Sequence, residues 1–111
     1  MIRALLLGAM LLGATPAIAA EVAIATATEV AIAIDNFTFA PLEMTVPAGT
    51  TVVWTNHDDI PHTVTDQADP RGIHSPPLDT DESYRRQFLT PGRYGYFCSL
   101  HPHMTATVVV Q

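Results

Sequence analysis

Cys98, His101 and Met104 stand at C-x-x-H-x-x-M spacing near the end of the chain, within the segment YGYFCSLHPHM. A step of three residues in a tight loop brings successive side chains back to one side, so a thiolate, an imidazole and a thioether can converge there. Thiolate and thioether are soft donors, and imidazole is intermediate. Two histidines and a cysteine in a trigonal plane, with a weak axial methionine, make the geometry of a blue-copper electron-transfer site. The loop supplies one of the two histidines, and the second has to come from a neighbouring strand. His57, His62, His74 and His103 are the candidates. His62 follows Pro61 and opens an extended segment just past a turn, so it can project toward the Cys98 loop and is favoured. His103 competes with His101, but Met104 would then be the adjacent residue and could hardly reach the axial position. His57, His74, Asp58 and Asp59 read as solvated loop residues rather than a second metal site.

The elements that must hold these donors read as strands. Glu21 to Asp35, EVAIATATEVAIAID, alternates apolar and small residues, and its first five residues recur eight positions on. An even shift keeps the same face inward, so the duplication is structurally harmless. Short strands are expected at Glu43–Val46, Thr51–Thr55, His62–Thr65, Tyr84–Leu89, Arg93–Cys98 and Thr105–Val110, with turns at Pro47-Ala48-Gly49-Thr50 and Thr90-Pro91-Gly92. Asp66 to Glu82, with Pro70, Pro76 and Pro77, reads as a long surface loop. Helical periodicity is missing from residues 21–111. The expectation is an all-β Greek-key sandwich or barrel of about seven to eight strands. Trp54, Tyr94 and Tyr96 read as core residues, the tyrosines on the face of Cys98 with hydrogen-bonded hydroxyls.

The 111 residues allow one domain. Residues 1–20 read as a secretory leader: Met1-Ile2-Arg3, an uncharged apolar run from Ala4 to Ala14, and a small-residue exit at Ala17-Ile18-Ala19-Ala20. The run is shorter than the roughly 18 residues of a membrane span, so none is expected after cleavage. Residues 21–111 then form a single domain, placed by export in the periplasm. This part carries four arginines, no lysine and eleven acidic residues, a net charge of −7. That sign excludes nucleic-acid binding and suits basic protein partners. Cys98 is the sole cysteine. In an oxidising compartment it is buried and inert, paired between chains, or occupied by a ligand.

Further stretches complete a pattern: Phe37 with Pro41, Val52-Val53-Trp54-Thr55-Asn56, Pro61-His62-Thr63-Val64, Pro91 through Met104, and Val108–Val110. In these the chain resembles the cupredoxin family, most closely its amicyanin branch, over nearly all of residues 21–111. The short C-x-x-H-x-x-M loop is the amicyanin form, since plastocyanin, pseudoazurin and azurin have longer intervals. The resemblance implies one type 1 copper ion, with His62, Cys98 and His101 as equatorial ligands and Met104 axial. Three positions depart from amicyanin. Leu100 replaces proline, His103 replaces phenylalanine, and Thr63 replaces the asparagine that helps tie the two ligand loops together.

The function implied is the shuttling of single electrons through Cu(I)/Cu(II) by a monomeric carrier that is not an enzyme. Copper nitrite reductases and multicopper oxidases need further histidine clusters and a much longer chain. Partners would be transient redox proteins, on the family pattern a dehydrogenase and a c-type cytochrome, docking on an apolar collar of Leu100, Pro102 and Pro61 around His101. Leu100 and His103 alter the surface that recognises such partners, so the chemistry carries over and the partner's identity does not. The alternative is a periplasmic copper carrier or storage protein. Carriers usually expose methionine- or histidine-rich tracts, whereas residues 21–111 contain only Met44 and Met104. A metal-free interaction module and a zinc site with the same donors are further readings.

Overall fold

The computed structural model describes residues 22–24, 28–68 and 72–111. The leader expected over residues 1–20 lies outside them, as do residues 21, 25–27 and 69–71. Among the described residues the strands are β1 (Val22–Ile24), β2 (Glu29–Asp35), β3 (Thr38–Ala40), β4 (Glu43–Val46), β5 (Thr50–Asn56), β6 (Thr65–Asp66), β7 (Ser83–Phe88), β8 (Gly92–Phe97) and β9 (Thr105–Val110). They form one sheet in the order β1-β4-β9-β8-β6 and another in the order β3-β2-β5-β7. The all-β sandwich expected from the sequence is therefore present. It has more than the expected seven to eight strands because β1, β3 and β6 are pieces of two or three residues. Helix is absent among the described residues, and none is long and apolar enough to cross a membrane.

Alternation explains which side chains fill the space between the sheets. In β5, Thr50, Val52, Trp54 and Asn56 are buried while the residues between them are partly exposed. In β9, Ala106, Val108 and Val110 face inward. Trp54 is fully buried and meets Tyr96 edge-on at 5.4 Å, and Tyr96 meets Phe39 at 4.8 Å. Fully buried Val52, Val108 and Phe39 each contribute roughly 1.5–3 kcal/mol by leaving water. The strands that flank the candidate donors are thus fixed by a packed interior.

Two expectations change. The segment from Glu21 to Asp35 divides: β1 runs parallel to β4 in one sheet, and β2 lies between β3 and β5 in the other. The expected parity holds in β2, where Ile32 and Ile34 are buried, but β1 turns the other way: Ala23 packs against the core while Val22 and Ile24 are exposed, so the even shift does not keep one face inward. The stretch from Asp66 to Glu82 is also not a surface loop throughout. Ile73, Ser75 and Leu78 are buried, and this part runs as a strap along His62–Thr65. His62 and Leu78 exchange backbone hydrogen bonds of 3.1 and 2.7 Å, and the Ser75 N–H donates to the Val64 carbonyl at 2.9 Å. Pro76 and Pro77 have no N–H to give, which keeps the strap from becoming a regular strand. Of the expected His62–Thr65 strand, only Thr65 pairs in a sheet, where β6 meets β8.

Candidate metal centre

The loop from Cys98 to Met104 connects β8 to β9, an antiparallel pair in register from Gly92↔Val110 to Phe97↔Thr105. Two successive turns shape it. The His101 N–H donates to the Cys98 carbonyl at 3.2 Å, and the Met104 N–H donates to the His101 carbonyl at 2.9 Å. The Cys98 N–H then closes the loop on the Met104 carbonyl at 3.1 Å. The three residues at three-residue spacing are those that the turns join, which is why their side chains return to one end of the sandwich.

His62 reaches the same place from the other side. Its turn is built on Asn56, fully buried, whose Nδ2 donates to the carbonyls of Ile60 and Leu78 at 2.8 and 2.9 Å. The Asn56 Oδ1 accepts the Asp58 N–H at 2.9 Å. These bonds aim His62 inward. Its Nδ1 lies 3.7 Å from the Cys98 Sγ, and so does the Nδ1 of His101. All three donor atoms lie within 4.8 Å of one another. His62 and Cys98 are fully buried, Met104 is 3% exposed in the same loop, and His101 is half-buried.

This spacing is a test of fit. Metal bonds of about 2.0 Å to imidazole and about 2.3 Å to thiolate, set at about 120°, separate N and S by about 3.7 Å. The cysteine and either histidine meet that requirement. Soft and intermediate donors at trigonal spacing suit copper. Such a set could also hold zinc, but zinc favours a closed tetrahedron.

The surroundings prepare two of the donors, Cys98 and His62. The Thr63 N–H donates to the Cys98 Sγ at 3.3 Å. The Thr63 Oγ1 accepts the Ser99 N–H at 2.7 Å and lies 2.9 Å from the Ser99 Oγ, joining the two loops. The Nε2–H of His62 donates to the Asp58 Oδ2 at 2.7 Å, which leaves the Nδ1 lone pair free for a metal. Asp58 also accepts the N–H groups of Asn36 and Phe37, at 2.6 and 2.9 Å. Burial works against its charge, but the Phe37 and Asn36 N–H donors and the His62 ring outweigh it and hold the carboxyl below its ordinary range.

Asp58 is therefore no solvated loop acid, contrary to the sequence reading. The available signal was a carboxylate four residues before a candidate ligand histidine, the usual partner of such a ring's far nitrogen. Asp59, His57, His74 and His103 are exposed as expected and stand outside the donor cluster. His103 borders a cavity of about 310 Å³ beside Met104, lined also by Phe37, Phe39 and Leu42. The Tyr94 hydroxyl donates to the Thr90 carbonyl at 2.6 Å, as expected, whereas the Tyr96 hydroxyl is buried without a hydrogen-bond partner among the described residues. Burial pushes the Tyr96 phenol strongly upward, against the smaller opposing effect of Trp54.

Known proteins resemble this chain in sequence and fold. The family model described as cupredoxin-like domain matches residues 3–110. Amicyanin-alpha of Methylorubrum extorquens is 36% identical over 96 residues, spanning 84% of this chain and 79% of its own length. The chloroplastic plastocyanin of Tetradesmus obliquus is 38% identical over 84 residues, 66% of this chain and 58% of its own length. Among solved structures, the purple cupredoxin of Nitrosopumilus maritimus superposes with a TM-score of 0.67 at 34% identity, covering 74% of this chain and 99% of that one.

Proposed function

The chain belongs to the cupredoxin family, and on that footing we propose that it is an exported single-electron carrier whose copper ligands are His62, Cys98, His101 and Met104. The observation that carries the reading is the convergence of two imidazole Nδ1 atoms, each 3.7 Å from one buried thiol. Copper bound there supplies a one-electron couple between Cu(I) and Cu(II). The protein's part is to keep the donors in one arrangement for both states. Cys98 is fixed by the end of β8 and the Thr63 N–H, His62 by the strap and Asp58, and His101 by the two turns. Little has to move when an electron comes or goes.

His101 is the half-buried ligand at the surface, with Leu100 48% exposed and Pro61 and Pro102 exposed around it. Apolar contact of this kind is small and weak, which suits transient redox partners. Relatives named amicyanin and plastocyanin support such partners. A dehydrogenase as donor and a c-type cytochrome as acceptor belong to the proposal, as do the periplasmic location, the leader over residues 1–20, the monomeric state and the absence of catalysis.

The copper carrier remains the rival, and burial of His62 and Cys98 opposes it, because cargo metal needs exposed donors. Copper-loaded protein should accept and return one electron per chain with small-molecule redox reagents, while giving up its copper to a chelator only slowly. Ready copper exchange without reversible one-electron redox would favour the carrier.

A further inference from the structure

Asn36 and Phe37 have φ angles of 54° and 58°. Both lie in the left-handed region, which a bulky side chain such as Phe37 enters only at a cost that the surroundings must over-determine. The two residues form the tight turn between β2 and β3, next to the Asp35↔Thr38 pair. With both φ angles positive this turn favours asparagine first and glycine second. Asn36 obeys the rule and Phe37 breaks it.

The same carboxylate explains how the turn holds and where its strain is used. Asp58 accepts both turn N–H groups, and its Oδ2 also accepts the His62 Nε2–H at 2.7 Å. The phenyl ring of Phe37 then stands edge-on to both imidazoles, 5.4 Å from His62 at 84° and 5.2 Å from His101 at 90°. The two imidazoles are themselves 4.9 Å apart. Phe37 is 42% exposed, so burial alone gives a weak reason for a strained aromatic there.

We infer that Asp58 and Phe37 act as one positioning unit for the metal centre: the carboxylate braces His62 from behind and holds the strained turn that lays the Phe37 ring across the imidazole pair. The inference rests on the proposed copper function. It assigns Phe37 a role toward copper that the fold alone does not require.

Because the strain serves the centre and not the fold, Phe37→Gly separates the two. Glycine accepts the positive φ and removes the ring. The metal-free variant should melt at the same temperature as the parent or higher. The copper-loaded, reduced variant should lose Cu(I) to a Cu(I)-specific chelator about tenfold faster or more, the scale seen when groups supporting metal ligands are removed. Phe37→Tyr, which keeps the ring, should return the rate toward that of the parent. Asp58→Asn should also speed copper loss, and the double variant should be no faster than the faster single one, since both act through one unit. In the metal-free protein, the NMR signal of the His62 Nε2 proton should exchange with water faster in the Phe37→Gly variant. A chelation rate unchanged by Phe37→Gly, or single effects that multiply in the double variant, would overturn the inference. A parent protein that takes up no copper would defeat the proposed function instead, and the proton exchange would still decide whether Phe37 braces His62.

Discussion

Thr63 serves the centre with two different atoms. Its N–H donates to the Cys98 Sγ, and its Oγ1 accepts the Ser99 N–H and lies 3.1 Å from the Thr65 Oγ1. The asparagine expected from amicyanin is thus replaced by a hydroxyl that still ties the ligand loops. Thr63→Val keeps the backbone donor and removes the tie, leaving the Ser99 N–H without that acceptor. It should lower the stability of the metal-free protein by about 1–3 kcal/mol in denaturant unfolding, while copper loading still produces the thiolate-to-Cu(II) band. Loss of the band would mean that the hydroxyl, and not the backbone donor, prepares Cys98. At this scale the sequence was informative where function is local. Cys98, His101 and Met104 fall on successive turns, and His62 was legible from Pro61 and the extended residues after it. Asp58 was not, because the N–H groups it gathers come from Asn36 and Phe37, 22 and 21 residues earlier. Phe37 was read only as part of a pattern, since its role depends on a turn geometry that its residue type disfavours.

Identical segments have different fates at the scale of elements. Ile24 and Ile32 occupy equivalent positions in the repeated block, yet Ile24 is 76% exposed and Ile32 1%. β1 is a three-residue edge strand held by β4, whereas β2 is paired on both sides by β3 and β5. Ile32→Ala should therefore cost about 2–5 kcal/mol, by lost burial and the cavity left behind. Ile24→Ala should stay within about 0.5 kcal/mol of the parent. Equal costs in thermal or denaturant unfolding would contradict the division of the block between two sheets. Periodicity revealed that both copies are extended, and Glu43–Val46 and Thr105–Val110 have the expected bounds. It could not assign partners, because parity along a strand is local and sheet order is not. The strap from Ile73 to Leu78 was hidden for a related reason. Its prolines and the aspartates on either side of it suggested solvent, while its contribution is two buried apolar side chains and the Ser75 Oγ, which accepts the Val64 N–H at 2.8 Å.

For the whole molecule, the two sheets form a frame whose one end gathers the donors. β5 and β8 run toward it, the first leading through Asn56 to the His62 turn and the second to Cys98. The apolar side chains exposed around that end and the acidic balance of residues 21–111 fit brief contact with basic redox proteins. All of this depends on one claim, that Cys98 is a copper thiolate. The measurement that tests it most directly is the visible absorption spectrum of the protein after copper loading and oxidation, beside that of Cys98→Ser. An intense thiolate-to-Cu(II) charge-transfer band in the parent, abolished by the substitution, is the predicted result. A colourless parent whose Cys98 still reacts with thiol reagents would contradict the account.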